Sequence, residues 1–144
     1  MPLDGDWYNE LRSHMRISCQ HGTISGYYET AVGSASGKYD LVGAYDQTVS
    51  DDVSLAFCVT WINGQKDTPA TTAWCGQYQE NLAGGETIVT MWLLTSSTKP
   101  GDDWESTLVG QDTFRRTQPS SDEHALRMAA RPASHPGVKR SSSV

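Results

Sequence analysis

The sequence ETIVTMWLLT occupies residues 86–95, and its side chains alternate with a period of two. That period is typical of a β-strand, in which successive side chains point to opposite faces. One face carries Ile88, Thr90, Trp92 and Leu94, and the other carries Val89, Met91 and Leu93. A strand that is apolar on both faces must bury both of them. We therefore expect one face to line the interior of the domain and the other to meet a second subunit.

Four tryptophans belong to strand-like runs of this kind. Trp61, Trp74 and Trp92 each lie within such a run, and Trp104 opens the last one. An indole is large, carries an N–H that needs a partner, and is seldom wholly buried in a small domain. Several indoles that face one interior indicate a box for a flat or chain-like apolar ligand. The alternative is that they only fill the core.

Short strand-like runs, separated by Gly, Asn, Asp and Pro, make up the rest of the body. The predicted strands are Gly5–Leu11, His14–Cys19, Thr23–Thr30, Lys38–Tyr45, Val53–Ile62, Ala70–Gln79, Glu86–Thr95 and Trp104–Thr117. Their regular spacing, without a helical period between them, predicts an all-β fold. Eight antiparallel strands in simple order can close into an up-and-down barrel, which has no exposed edge strand. A barrel of this size holds one small ligand, which we expect at one open end.

The charge of the chain is divided unevenly. Residues 1–112 hold 5 Lys or Arg against 15 Asp or Glu, whereas residues 113–144 hold 6 against 2. An acidic body argues against nucleic-acid binding, which needs a basic face. We interpret residues 1–117 as the barrel and residues 118–144 as a flexible tail that contains Ser, Pro and Arg. Within this tail, Ser120 and Glu123 form the capping pattern of a short helix.

The location of the protein is constrained by two absent signals. No stretch approaches the roughly 20 apolar residues of a membrane-spanning helix. The N-terminus has neither the basic start nor the apolar run of a secretory signal. We therefore expect no membrane association, and either an intracellular protein or a secreted one whose signal has been removed.

The three cysteines are too few for a disulfide scaffold. Cys58 and Cys75 are expected on the outer faces of neighbouring strands, where a disulfide and two free thiols are both conceivable. Buried free thiols are the preferred interpretation. Cys19 and His21 supply only two ligands, which makes a poor zinc site, so no metal is predicted.

Three polar residues are expected to point inward beside the tryptophans: Thr72, Thr90 and Asp112. A buried hydroxyl or carboxylate without a partner is costly, so such groups are bonded within the protein or meet a ligand. Both roles are open for Asp112. No histidine falls on an inward face beside it, which favours binding over acid–base catalysis. A carrier barrel for a different small molecule is the alternative.

Four segments carry a resemblance to a known family. They are GDWYNEL at 5–11, GYYETAVG at 26–33, WLLTS at 92–96 and WESTLVGQDTF at 104–114. In this order they resemble the avidin/streptavidin family of biotin-binding proteins, and the missing signal and the tail resemble its fungal members more than the secreted egg-white ones. The resemblance implies a barrel that sequesters biotin tightly, in a defensive role and without cofactor or catalysis. It also implies a homotetramer, with a dimer as the alternative.

The resemblance assigns the polar part of the binding site. Asn9, Ser13 and Tyr28 match the residues that surround the ureido oxygen of biotin, and Asp112 and Thr30 match the acceptors of its two N–H groups. This assignment is chemically reasonable, because a ureido group has one acceptor and two donors. An ionised acceptor on one nitrogen would polarise the group and strengthen its hydrogen bonds.

The resemblance also assigns the apolar part of the site. It implies walls around the rings and the valeryl chain, a hydroxyl beside the sulfur, a closing lid, and an indole lent by a neighbouring subunit. The matching residues are Trp61, Trp74, Trp92 and Leu94 for the walls, Thr72 for the hydroxyl, Val32, Gly33 and Ser34 for the lid, and Trp104 for the neighbour. Ala70 falls where streptavidin-like members hold a serine that bonds the valerate carboxylate, which predicts modestly weaker binding.

Overall fold

The computed structural model describes residues 2–30, 37–62, 69–81, 85–102 and 106–121. Within these ranges lie eight strands: β1 Gly5–Tyr8, β2 His14–Gln20, β3 Thr23–Glu29, β4 Lys38–Tyr45, β5 Ser54–Trp61, β6 Ala70–Asn81, β7 Gly85–Ser96 and β8 Thr107–Arg115. Each strand is antiparallel to the next, and β8 returns to β1 through the pair Tyr8 and Arg115. The sheet is thus a closed barrel, which confirms the predicted all-β, up-and-down architecture. Within the described ranges, no helix is long and apolar enough to cross a membrane.

The first and last strands are shorter than the sequence predicted. β1 ends at Tyr8 instead of Leu11 because the chain turns back at once: the backbone N–H of Asn9 donates to the carbonyl of Ser13 at 3.0 Å. Arg12, in the same turn, has a left-handed φ of 67°. β8 ends at Arg115 instead of Thr117, where the side chain of Arg116 turns to the N-terminal segment and donates to the carbonyl of Asp4.

The core occupies the inside of the barrel, as the alternation predicted. The inward residues of the long strands are almost wholly buried, with exposures of 2% for Phe57, 0% for Trp74 and 1% for Trp92. Phe57 is the cross-strand partner of Trp74, and their rings stack with centres 5.0 Å apart. Trp92 is the partner of Trp74 on the next strand, so three successive strands each place a large aromatic side chain in the interior.

A cluster around Arg116 closes the end of the barrel where β1 begins and β8 ends. Its guanidinium lies 3.8 Å from the centre of the Trp7 ring and donates from Nε to Glu86 at 3.1 Å. The same side chain donates to the backbone carbonyls of Asp4 and Pro2. The indole N–H of Trp7 in turn donates to the carbonyl of Leu3 at 2.8 Å. These contacts reinforce the β1–β8 junction, and no pattern in the sequence predicted them.

An apolar surface crosses the outside of β4 to β8. We call it the outer apolar face; its residues are Val42, Cys58, Ala73, Met91, Leu93 and Val109. The pairing of neighbouring strands places Val42, Cys58, Ala73, Leu93 and Val109 in one row. Met91, Leu93 and Val109 are 60%, 52% and 64% exposed in the single chain. The second apolar face of β7 is therefore present where the sequence predicted it.

Cys58 and Cys75 are free thiols, as preferred, but neither of them is buried. Cys75 is exposed and Cys58 is half-buried, because both lie on the outward side of the alternation. Cys58 is paired with Ala73 and Cys75 with Ala56, so the two are diagonal neighbours instead of direct partners. Diagonal neighbours are about 7–8 Å apart, which is at or beyond the reach of a disulfide.

Candidate ligand-binding site

Asn9 organises the polar end of the barrel interior. It follows β1 directly and is completely buried. Its Oδ1 accepts hydrogen bonds from the backbone N–H groups of Leu11 at 3.0 Å and Ser13 at 2.9 Å. Only an oxygen can accept from those two donors, so the amide has one orientation. Its Nδ2 consequently faces the interior, where it donates to the hydroxyl of Tyr28 at 3.2 Å.

Asp112 lies on β8 beside this amide and is also completely buried. Its Oδ2 accepts from the indole N–H of Trp74 at 3.0 Å and lies 3.5 Å from Nδ2 of Asn9. The carbonyl oxygen of Asp112 accepts from the hydroxyl of Thr90 at 2.9 Å. Hydrogen-bond donors therefore converge on a buried carboxylate, which is the condition under which burial of such a group is tolerated.

Two further predicted residues border the same cluster. The hydroxyl of Ser13, which is fully buried, donates to the hydroxyl of Thr30 at a marginal distance of 3.5 Å. The Tyr28 ring lies 5.1 Å from that of Trp74 and 5.6 Å, edge to face, from that of Trp61. The structure thus brings together every polar residue that was predicted for the ureido group.

The aromatic walls are fixed by polar contacts at two of the three indoles. The Trp61 N–H donates to Thr72 at 2.8 Å, and the Trp74 N–H donates to Asp112. The Trp92 N–H, by contrast, has no hydrogen-bond partner among the described residues, although Trp92 is only 1% exposed. Thr72, predicted beside the sulfur of the ligand, therefore also holds one wall of the site.

Two aromatic residues that neither the sequence pattern nor the resemblance assigned to the site support these walls. Phe57 stacks on Trp74 with ring centres 5.0 Å apart, and Tyr39 meets Trp61 edge to face at the same distance. The alternation had placed Phe57 inward. Tyr39 lies on the inward face of β4 and is 6% exposed, so the same alternation, extended to that strand, would have found it.

Of the remaining predicted residues, the structure describes Leu94 and Ala70. Leu94 is buried on the inward face of β7, two residues beyond Trp92. Ala70 begins β6, is half-buried, and is paired with Ser96 and Trp61. Val32, Gly33, Ser34 and Trp104 lie outside the described residues, as does nearly all of the predicted tail helix. Their roles stay predictions of the resemblance.

The described part of the chain offers no cluster of three His, Cys, Asp or Glu side chains that could hold a metal ion. Cys19, considered with His21, is a poor ligand for a further reason. Burial, together with the nearby Asp4 carboxylate, raises the pKa of its thiol to about 12. Because a metal binds the thiolate, this neutral thiol is not prepared for coordination.

Comparison with known proteins assigns the family. The family model described as "Avidin family" matches residues 1–117. Avidin of Gallus gallus is 36% identical over 121 residues, which cover 79% of this chain and 77% of avidin. Avidin-related protein 4/5 of Gallus gallus is 34% identical over 120 residues, with the same coverage of 79% and 77%. Both the closed barrel and the matched region support one conclusion: the chain belongs to the avidin family.

Proposed function

We propose that this protein binds biotin non-covalently inside the barrel. The observation that carries the proposal is the buried cluster of Asn9, Tyr28 and Asp112 among the indoles. A ureido group needs donors at its oxygen and acceptors at its two N–H groups, and this cluster offers both within one network. Hydrogen bonds to an ionised group are stronger than neutral ones, and more so at low dielectric. Membership in the avidin family supports the same ligand.

The orientation of Asn9 favours one way of binding. Because its Oδ1 is engaged by the turn, its Nδ2 is the atom available to a ureido oxygen. The hydroxyls of Ser13 and Tyr28 are the other donors there. Asp112 then accepts from one ureido N–H and Thr30 from the other. Three donors at the oxygen and a carboxylate at a nitrogen pull charge in the same direction.

The rest of the ligand lies among the indoles in this proposal. Trp61, Trp74 and Trp92 enclose the fused rings and the start of the valeryl chain, and Leu94 lines the chain further out. The Thr72 hydroxyl accepts from Trp61. A hydroxyl has both a donor and acceptor sites, so this arrangement is compatible with a contact to the thioether sulfur. Val32, Gly33 and Ser34 would form the lid over the carboxylate end.

Assembly into a homotetramer is the second part of the proposal. The outer apolar face exposes Met91, Leu93 and Val109 in the single chain. Contiguous apolar patches on a soluble protein mark interaction sites, and a second copy is the simplest partner for a face of this kind. Trp104 of one subunit would then complete the site of its neighbour, so that assembly and binding are coupled.

Binding without turnover is the third part of the proposal. The Asn9 amide, the Thr90 hydroxyl and the Trp74 indole N–H lie at Asp112, and none of these three groups is a general base. His14 lies on the other side of the sheet, 2.8 Å from Asp6. A protein that holds a vitamin tightly and leaves it unchanged removes it from competitors, which fits a sequestering, defensive role.

Isothermal titration with biotin, combined with the native mass of the same sample, tests this proposal. We expect one biotin per chain in a species of about 63 kDa, four times the 15.8 kDa of one chain. A dimer with one tight biotin per chain would keep the ligand and refute the tetramer. Absence of binding would refute the ligand, and a panel of other ureido and thioether compounds would then test a carrier with a different cargo.

A further inference from the structure

Gly110 stands out because an indole occupies the space of its missing side chain. It lies on β8 between Leu108 and Asp112, on the inward face, and is the cross-strand partner of Trp92. A Cβ built on Gly110 would overlap Cζ2 and Cε2 of Trp92 and come within 2.9 Å of Cη2. At Gly26, Gly43 and Gly76 the first atom such a Cβ meets is a backbone carbonyl oxygen instead. Gly110 therefore lets the Trp92 ring lie flat against β8.

Among the residues that the structure describes, packing and not a hydrogen bond positions this ring. The Trp61 and Trp74 indoles are each held by a hydrogen bond, whereas the Trp92 N–H has no partner among the described residues. Where no hydrogen bond holds a ring, steric contacts with its neighbours set its position. For Trp92, one such neighbour is the bare backbone of Gly110.

The pairing of β7 with β8 relates this contact to the proposed ligand. Successive inward pairs are Thr90 with Asp112, Trp92 with Gly110, and Leu94 with Leu108. If the ureido group lies at Asp112, the Trp92–Gly110 pair is the next inward pair of residues toward the open end. The second, sulfur-containing ring of biotin would lie beside this pair. The contact between Gly110 and Trp92 then sets the width of the interior that is available to that ring.

We propose that Gly110 is a positioning residue that admits a two-ring ligand by holding the Trp92 indole against the barrel wall. This inference rests on the proposed biotin site and deepens it. A side chain at position 110 forces a shift, and we expect the indole to move into the interior because the backbone of β8 is held by its pairing with β7. The loss of affinity should be greatest for ligands whose second ring lies beside the Trp92–Gly110 pair and smaller for a ligand with a single ring.

The test compares Gly110→Ala with the unaltered protein for two ligands. One is biotin; the other is desthiobiotin, which keeps the ureido ring and the carboxylate chain but lacks the second ring. We expect Gly110→Ala to speed biotin dissociation about 10- to 100-fold, the range for an overpacked site, and desthiobiotin dissociation clearly less. Thr107→Ala, an exposed position on the same strand, is the control and should change neither rate.

Two further variants separate this mechanism from a general loss of structure. Trp92→Phe removes the ring atoms that a Cβ would strike, so adding Gly110→Ala to it should cost little in either dissociation rate or Tm. If Gly110→Ala alone fails to fold, the double variant should fold. The inference would be overturned if Gly110→Ala changed the dissociation rate and Tm equally with and without Trp92→Phe, or if it speeded the dissociation of biotin and desthiobiotin equally. Failure of the unaltered protein to bind biotin would instead refute the proposed function, and the coupling in Tm would still report on the contact.

Discussion

The indole N–H of Trp74 donates to Oδ2 of Asp112 over 3.0 Å, with both residues completely buried. Trp74 is thus at once a wall of the proposed site and the hydrogen-bond partner of Asp112, the one completely buried carboxylate in the part of the chain that the structure describes. The hydrogen bond joins the apolar and polar halves of the proposed site. A substitution of either residue should therefore alter the geometry of both halves of the site.

Asp112→Asn should weaken biotin binding by about 3 kcal/mol, because it replaces a charged acceptor with a neutral one. The same change should leave the Tm of the ligand-free protein unchanged or higher, since it removes a buried charge. Dissociation kinetics and thermal melting of one preparation check both. Asp40→Asn, an exposed carboxylate on β4, is the control. Unaltered dissociation in Asp112→Asn would refute the role of its charge.

Asn9→Asp should make binding depend on pH. The new carboxylate can still accept from Leu11 and Ser13, but it would lie beside Asp112, and two adjacent carboxylates raise the pKa of one of them. We expect weak binding at pH 8 and partial recovery toward pH 5, where one carboxyl is protonated and can donate. Biotin dissociation at the two pH values measures this. A variant whose dissociation is independent of pH would contradict the proximity of the two groups.

Arg116→Ala should lower the free energy of unfolding by about 2 kcal/mol, through loss of the Trp7 ring contact and the bonds to the N-terminal carbonyls. Arg115→Ala offers a matched control, because that neighbouring side chain is exposed. It should change stability by less than about 0.5 kcal/mol. Denaturant unfolding of both ligand-free variants decides the matter, and equal effects would mean that the Arg116 cluster contributes nothing specific.

Stability of the ligand-free barrel should fall at both extremes of pH. Burial works to raise the pKa of Glu86, but hydrogen bonds from Arg116 and Tyr78 outweigh it and hold that pKa below its ordinary value of 4.5. A lowered pKa stabilises the folded state above pH 4.5, and this contribution is lost as the pH falls further. Burial and the Glu86 carboxylate raise the pKa of Tyr78 to about 12. Its contribution is complete below about pH 10 and is lost between pH 10 and 12.

Thermal melting across pH 2–12 checks these signs. Asp6 complicates the acid limb, because the hydrogen bond from His14, with support from Arg16, also lowers its pKa. Glu86→Gln should therefore flatten the acid limb only in part. A curve for Glu86→Gln that superimposes on that of the unaltered protein below pH 4.5 would show that the Glu86 contacts do not stabilise the fold.

Ala70→Ser should tighten biotin binding by about 1 kcal/mol, the value of one hydrogen bond near solvent. Ala70 is half-buried at the start of β6, and the family resemblance puts the valerate carboxylate of biotin beside this position. Biotin methyl ester lacks the carboxylate charge, so Ala70→Ser should increase its affinity by less. Ala44→Ser, exposed on β4, is the control, and an Ala70→Ser variant with unchanged biotin dissociation would refute the prediction.

The strands and their inward faces could be predicted because a period of two is local information. Each tryptophan carries its own orientation in the residues immediately beside it, so Trp74 and Trp92 were expected inside, and both are. The strand ends at Tyr8 and Arg115 were not predicted, because they depend on a turn held by Asn9 and on contacts of Arg116 with the N-terminus. The residues of the polar cluster came from a resemblance, since no local pattern joins Asn9 to Asp112 across 103 positions.

By itself, the sequence determined which side chains face the interior and which face outward, since neighbouring residues on a strand must alternate. Only the tertiary structure decided how those side chains meet. The Asn9 amide is oriented by its own turn, Trp92 lies on Gly110 because that residue has no Cβ, and Arg116 covers Trp7 because the barrel closes. The first of these contacts lies within a single turn, whereas the other two need distant segments that the closed sheet brings together. The physical reason is that hydrogen bonds and packing act over a few ångströms in space, whatever the separation along the chain.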